Sequence, residues 1–160
     1  MPAMENQPNL LVTYKIQLDI NTTPSGASET WTPLCAGFNN ISEALNEAVQ
    51  QYFFLCQKGF ANNYVTGMAP VVTLTGVRII GDTAQDYIFG TKYKTLVDRE
   101  TQLRITRVND DGESTSVITA NVTMQNIQEF SGATTDGSAI SVEFAFNGAP
   151  TLSQGTVGAG

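Results

Sequence analysis

Tyr64 to Phe89 reads YVTGMAPVVTLTGVRIIGDTAQDYIF, a β-rich run that passes through a turn into a capped helix. Val71 to Ile80 is dense in β-branched residues, as a strand requires, and Gly76 within it is a candidate bulge. Gly81-Asp82 ends the run. Asp82 suits the N-cap of a short helix over Thr83 to Phe89, because its carboxylate can accept from an orphan first-turn amide. Gln85, three residues on, stands at the reciprocal position of a capping box. The stretch offers no catalytic group, and the chain contains no histidine, the commonest general base. These features point to assembly as the function.

Outward from this stretch the chain alternates with period two. Val12, Tyr14, Ile16, Leu18 and Ile20 alternate with Thr13, Lys15, Gln17 and Asp19, which predicts a strand over that whole run. Asn21 to Thr30 is turn chemistry around Pro24 and Gly26, and Trp31 to Phe38 reads as a short edge strand interrupted by Pro33. Leu103 to Val108 reads as a strand, followed by a hairpin turn at Asn109-Asp110-Asp111-Gly112 that lacks the spaced ligands of a calcium loop. Ile118, Ala120, Val122 and Met124 then alternate with Thr119, Asn121, Thr123 and Gln125. Ile140, Val142, Phe144 and Phe146 alternate with Ser141, Glu143, Ala145 and Asn147. Ser131 to Gly137 is a loop between them. Residues 1–9 read as a polar N-terminal arm and 148–160, uncharged and glycine-rich, as a flexible C-terminal tail.

Ile41 to Lys58 supports two readings. Ile41, Ala44, Leu45, Ala48, Val49, Tyr52, Leu55 and Cys56 fit a helical stripe, with Asn40 and Glu43 as a capping box and Gly59 as a C-terminal cap. Gln51 to Leu55 has strand character, with three consecutive aromatics.

Composition limits the function classes. The 160 residues carry a net charge of −7, from 15 acidic and 8 basic side chains. A protein that grips nucleic acid does so by neutralising phosphates, so this balance argues against one. Charged residues are 14% of the chain against roughly 25% in ordinary soluble domains. A surface poor in charge suits a chain that buries itself against copies. Five of the eight cations (Lys92, Lys94, Arg99, Arg104, Arg107) cluster, as a solvated strand and loop or one side of a subunit contact. The opening residues have neither the cation nor the apolar core of a signal peptide, and no run is long enough to span a membrane. Cys35 and Cys56 make no disulfide framework and have no histidine to complete a metal site, so both are expected to behave as small hydrophobes in a reducing compartment. No cofactor is implied.

Taken in order, several runs resemble the major tail tube proteins of long-tailed, siphovirus-type bacteriophages. They are Asn46-Glu47 followed by Gln51-Tyr52-Phe53-Phe54-Leu55, Gly59-Phe60, Tyr64-Val65-Thr66-Gly67, Thr75-Gly76-Val77-Arg78, and Gly81-Asp82 through Phe89. Asn121 to Ile127 and Ile140 to Pro150, with Phe146-Asn147-Gly148, close the pattern. The resemblance covers about Leu10 to Pro150. It implies a mainly β fold, a β-sandwich or barrel with one short flanking helix, as a single tail-tube domain over 1–160 whose sheet is completed in a hexameric ring. It makes residues 39–67 a long stacking loop, with Glu47, Gln51, Tyr52, Phe53 and Phe54 as candidate ring-stacking residues. It makes Thr119, Asn121, Thr123, Ser141 and Glu143 candidate lumen-lining residues. Asp82 and Gln85 cap the flanking helix. The implied partners are copies of the chain, a tape-measure protein, tail terminator and baseplate proteins, and DNA in transit without specific binding. The implied location is the virion tail, assembled in the cytoplasm of the bacterial host.

Other classes fit less well. An enzyme would need a nucleophile with a base, and no G-x-S-x-G elbow is present. Asp82 and Asp86, one helical turn apart, are a carboxylate pair in principle, but a cap and a surface residue account for them. A monomeric β-sandwich binding module would expose aromatics on one sheet face, where Trp31 and Tyr93 are the available ones. The inner tube of a contractile tail or a related injection machine would share fold and lumen.

Overall fold

Seven strands form one antiparallel sheet in the order β2-β1-β7-β8-β9-β6-β3. They are β1 (Gln17–Asn21), β2 (Trp31–Pro33), β3 (Phe38–Ala44), β6 (Val71–Val77), β7 (Glu100–Val108), β8 (Ser114–Gln128) and β9 (Ala139–Thr156). Among the described residues a separate two-stranded ribbon, β4 (Ala48–Phe53) and β5 (Ala61–Gly67), and one α-helix, α1 (Thr83–Ile88), accompany the sheet. The computed structural model describes residues 11–90, 95–96, 98–108 and 114–156.

The two edge strands, β2 and β3, are consecutive in the chain and separated only by residues 34–37. A link that short spans at most about 3.5 Å per residue, so the two edges of a seven-stranded sheet must approach each other. The sheet therefore curls around a core on its concave side. Every second residue enters that core along β7, the later part of β8 and the first part of β9. Ile20, Leu103, Val122, Val142 and Phe144 are completely buried, and Val72, Leu74, Ala120, Met124 and Ile140 nearly so. Full burial of such side chains stabilises by about 1.5–3 kcal/mol each.

Helix α1 closes one end of the curl with Ala84, Ile88 and Phe89. Asp82 caps it as its sequence predicts, its Oδ2 accepting from the Gln85 amide at 3.1 Å. Gln85 does not reach back to complete a capping box. Its side chain is wholly buried, with Nε2 donating to the Ala36 and Val77 carbonyls at 2.7 and 3.0 Å and Oε1 accepting from the Ile79 amide at 2.8 Å. Tertiary partners outcompete the local one because these three backbone groups have no ladder partner at the end of β6. Arg78 holds the same corner. It pairs with Asp86 at 3.0 Å and Glu129 at 3.1 Å, and its guanidinium lies 5.6 Å from the Phe89 ring centroid. The expected bulge lies opposite Gly76, where the β3 register shifts between Phe38 and Asn40. Gly76 is required by close approach, since a Cβ there would collide with the Gly37 carbonyl.

The structure decides several further points of the sequence reading. The strand predicted from Val12 begins only at Gln17. Thr13–Lys15 is a 3-10 turn, and Tyr14 is 78% exposed. Gln17 faces Thr106, and β7 extends only two residues further, to Val108, so residues before Lys15 have no part of β7 opposite them. Of the two readings of 41–58 the structure takes the extended one, with β3 and β4 in place of a helix, and Asn40 and Glu43 sit on β3 rather than in a capping box. The stretch from Gly148, expected as a flexible tail, continues β9 to Thr156, paired with Ser114–Thr119 of β8. Cys35 and Cys56 are exposed, one between the edge strands and one at the ribbon tip. The N-terminal arm, the turn at 109–112, Lys92, Tyr93 and Lys94 lie outside the described residues.

Candidate assembly surfaces

The face of the sheet turned away from the core is mostly polar across its central strands. Thr119, Asn121 and Thr123 point there because Ala120 and Val122 point inward, and Ser141 and Glu143 do so because Ile140, Val142 and Phe144 are buried. All five candidate lining residues therefore share one surface. Register extends it: Thr73 and Thr75 of β6 stand beside Glu143 and Ser141, and Gln102 and Arg104 of β7 beside Asn121 and Thr119. The side chains bond one another. Gln102 donates to Asn121 at 3.2 Å, Asn147 to Thr123 at 2.7 Å, and Asn126 to Glu143. Arg104, a cation on this face, is held by Asp19 at 3.3 Å and stacks 4.5 Å over the Trp31 ring. Trp31 is thereby covered by Arg104 rather than offered to a ligand. A trough of about 980 Å³ crosses the surface, lined in part by Glu100, Gln102, Asn121, Thr123, Gln125 and Asn147. Such a face hydrogen-bonds water and gives a polyanion few cations to grip.

The second surface is the β4–β5 ribbon, which joins neither edge of the main sheet. Its base is pinned where the Ala69 amide donates to the Leu45 carbonyl at 3.0 Å and Asn46 Nδ2 donates to the Ala69 carbonyl at 3.0 Å. Asn46 takes a left-handed φ of 48° to make that corner. Glu47 is exposed at the base, and Gln51 bonds Asn63 across the ribbon at 3.2 Å. Tyr52 stacks on Phe54 and meets Tyr64 edge-on, on one face of the ribbon, while Phe53 projects 65% exposed from the other. At the tip Leu55 is fully exposed, and Lys58 and Gly59 turn the chain at positive φ. An isolated two-stranded ribbon is marginal in water, and one apolar on both faces needs a covering partner. The expected stacking loop of 39–67 is thus shorter than drawn, since residues up to Ala44 belong to the main sheet.

Open edges are the third feature. β3 pairs only with β6, and beyond Asn147 β9 pairs only with β8 among the described residues. The pattern did not reveal this edge, since uncharged glycine-rich sequence reads as tail rather than strand.

No cluster among the described residues could hold a metal ion, and none of their helices is long and apolar enough to cross a membrane. Asp82 and Asp86 are committed to the cap and to Arg78. Of the clustered cations, Arg104 is paired as above, Arg99 bonds the Thr95 and Met124 carbonyls, and Arg107 is exposed.

No protein-family model matches the sequence, and no curated protein matches it. Solved structures do. A chain in the tail of an empty gene transfer agent particle, refined helically with C6 symmetry, superposes with a TM-score of 0.68 at 14% identity, covering 90% of this chain and 99% of that one. A chain in the virion of the native particle gives 0.64 at 13% identity over 90% and 99%. The SPP1 tail tube gives 0.64 at 11% identity, covering 92% of this chain and 80% of that one. The curled sheet, flanking helix and projecting ribbon described above therefore make up the tail tube fold.

Proposed function

We propose that this chain is the structural subunit of a virion tail tube. Copies join edge to edge into hexameric rings, the rings stack into a tube, and DNA leaves through the lumen. The β4–β5 ribbon carries the reading: an apolar arm outside the core has a physical purpose only when another copy covers it. Open β3 and β9 edges supply backbone groups for lateral pairing, as ring closure requires. The polar face with Thr119, Asn121, Thr123, Ser141 and Glu143 lines the lumen and lets a polyanion slide. Glu47, Gln51, Tyr52, Phe53 and Phe54 stack one ring on the next. Nothing in heterologous stacking limits length. A tape-measure protein inside the growing tube therefore sets it, with terminator and baseplate proteins at the ends and assembly in the bacterial cytoplasm. The role is structural, without catalysis, cofactor or membrane insertion.

Electron microscopy of the purified protein at high concentration tests this directly. Hollow tubes, or rings that convert to tubes, are expected. A strictly monomeric solution, even when seeded with tail initiation complexes, would refute it.

A further inference from the structure

A second apolar surface lies at the other pole of the molecule. Val77, Ile79 and Ile80 follow one another off the end of β6, with Ile80 86% exposed, and Phe130 at the end of β8 is 66% exposed. We infer that this surface is the socket for the β4–β5 tip of a second copy, Leu55 and Phe60 seating on Ile79, Ile80 and Phe130. The inference rests on the stacked-ring reading and adds the receiving surface to it.

Three observations carry it. The first is placement. The ribbon enters β6 at Val71 and the socket leaves it at Val77, so tip and socket lie at opposite ends of one strand, roughly 20 Å of strand length apart. Two different patches at opposite poles make a head-to-tail contact, which repeats by translation instead of closing on itself.

The second is charge. Lys58, at the tip, is the single charged residue from Ala48 to Val77. The socket is flanked by Asp86 and Glu129, which occupy the one guanidinium, Arg78, by Asp82 two residues after Ile80, and by Asp136 next to Gly137, whose Cα side faces Val77. Asp82 and Asp136 leave a net negative rim facing the incoming ammonium. An apolar contact with a complementary charged rim fixes orientation as well as affinity.

The third is rigidity. Gln85 Oε1 holds the Ile79 amide at 2.8 Å, and Arg78 Nη1 bonds the Ile79 carbonyl at 2.9 Å. The socket is preorganised, whereas the ribbon is ordered mainly by its own two strands. A fixed socket lowers the ordering cost of the arm that enters it.

Native Cys56 is exposed at the tip and provides the test. The full chain carrying Cys35→Ser and Ile80→Cys is assembled, mildly oxidised and run on a non-reducing gel. Each copy then has one thiol at the tip and one at the socket, so a ladder of covalent multimers is expected. Cys35→Ser alone can give dimers at most. Rings or tubes by microscopy without a ladder would overturn the socket and leave the tube reading intact. Failure of the parent chain itself to assemble under the same conditions would overturn both. Charge exchange is the independent check. Lys58→Glu and Asp136→Lys should each raise the critical concentration for assembly about tenfold, and the double variant should restore it. Failure of the double variant to recover, with every variant folded by circular dichroism, would overturn the pairing.

Discussion

Gln85 Nε2 lies 2.7 Å from the Ala36 carbonyl oxygen, tying the flanking helix to the short link between the two edges of the sheet. This buried side chain thereby braces the closure that the link at 34–37 imposes. Gln85→Leu keeps the volume but leaves the Ala36 and Val77 carbonyls and the Ile79 amide without their partner. Each orphaned buried group costs about 1–3 kcal/mol. Thermal unfolding should show a loss of roughly 3 kcal/mol or more, which lowers the melting temperature by about 10 °C in a chain of this size. An unchanged melting curve would contradict this role.

Arg78 should resist even conservative replacement. Its side chain is 13% exposed and reaches Asp86, Glu129 and the Ile79 carbonyl in different directions. Lysine has one ammonium and no planar fork to do so. Arg78→Lys is expected to recover less than half of the roughly 3 kcal/mol lost in Arg78→Ala, most of it from stranding the largely buried Glu129. Chemical denaturation of both variants measures the difference.

Gly76→Ala should destabilise despite the better strand propensity of alanine. The new methyl meets the Gly37 carbonyl, so β3 must shift away from β6. Overpacking of this kind costs about 1–3 kcal/mol. Hydrogen exchange should locate the lost protection at the Val77 amide, which donates to that carbonyl at 2.8 Å.

Removing Tyr52 to Phe54 should abolish tube formation and leave a folded monomer, because the ribbon lies outside the main sheet. The milder Phe53→Ser, Phe54→Ser pair should cost no more than about 1.5 kcal/mol, since it removes only the Tyr52–Phe54 stack and exposed surface. Sedimentation should show monomers or single rings. Normal tubes from either variant would remove the ribbon from the stacking contact.

Thr119→Lys with Thr123→Lys places two cations per copy on the polar face without touching the core. Tubes should form normally, while DNA release slows and becomes strongly dependent on salt, as phosphate contacts are. Release kinetics identical to the parent at low ionic strength would move the lumen to another face.

Alternation carried most of the core. Leu18, Ile20, Val122, Val142 and Phe144 were legible as inward-facing because a strand sends every second side chain to the same side. The same rule placed Thr119, Asn121, Thr123, Ser141 and Glu143 together on the opposite face. It failed at Val12 to Ile16, since alternation reports which residues would share a face and not whether a partner strand lies alongside. It was equally silent about Gly148 to Thr156, where strand formation comes from the backbone of β8 rather than from side chains. The two exposed isoleucines after Val77 carried a signal that went unread, for adjacent β-branched residues cannot both face one core.

By itself, then, the amino-acid order determined the local events: the cap at Asp82, the parity of the long strands, and the scarcity of cations on their polar side. These depend on neighbours a few positions away. Only the tertiary structure decided that β2 and β3 become opposite edges of one curled sheet, that Gln85 serves the sheet instead of its own helix, and that the ribbon and the Ile79–Ile80 surface stand at opposite poles. Those outcomes depend on hydrogen bonds and contacts between residues tens of positions apart, which no local pattern encodes.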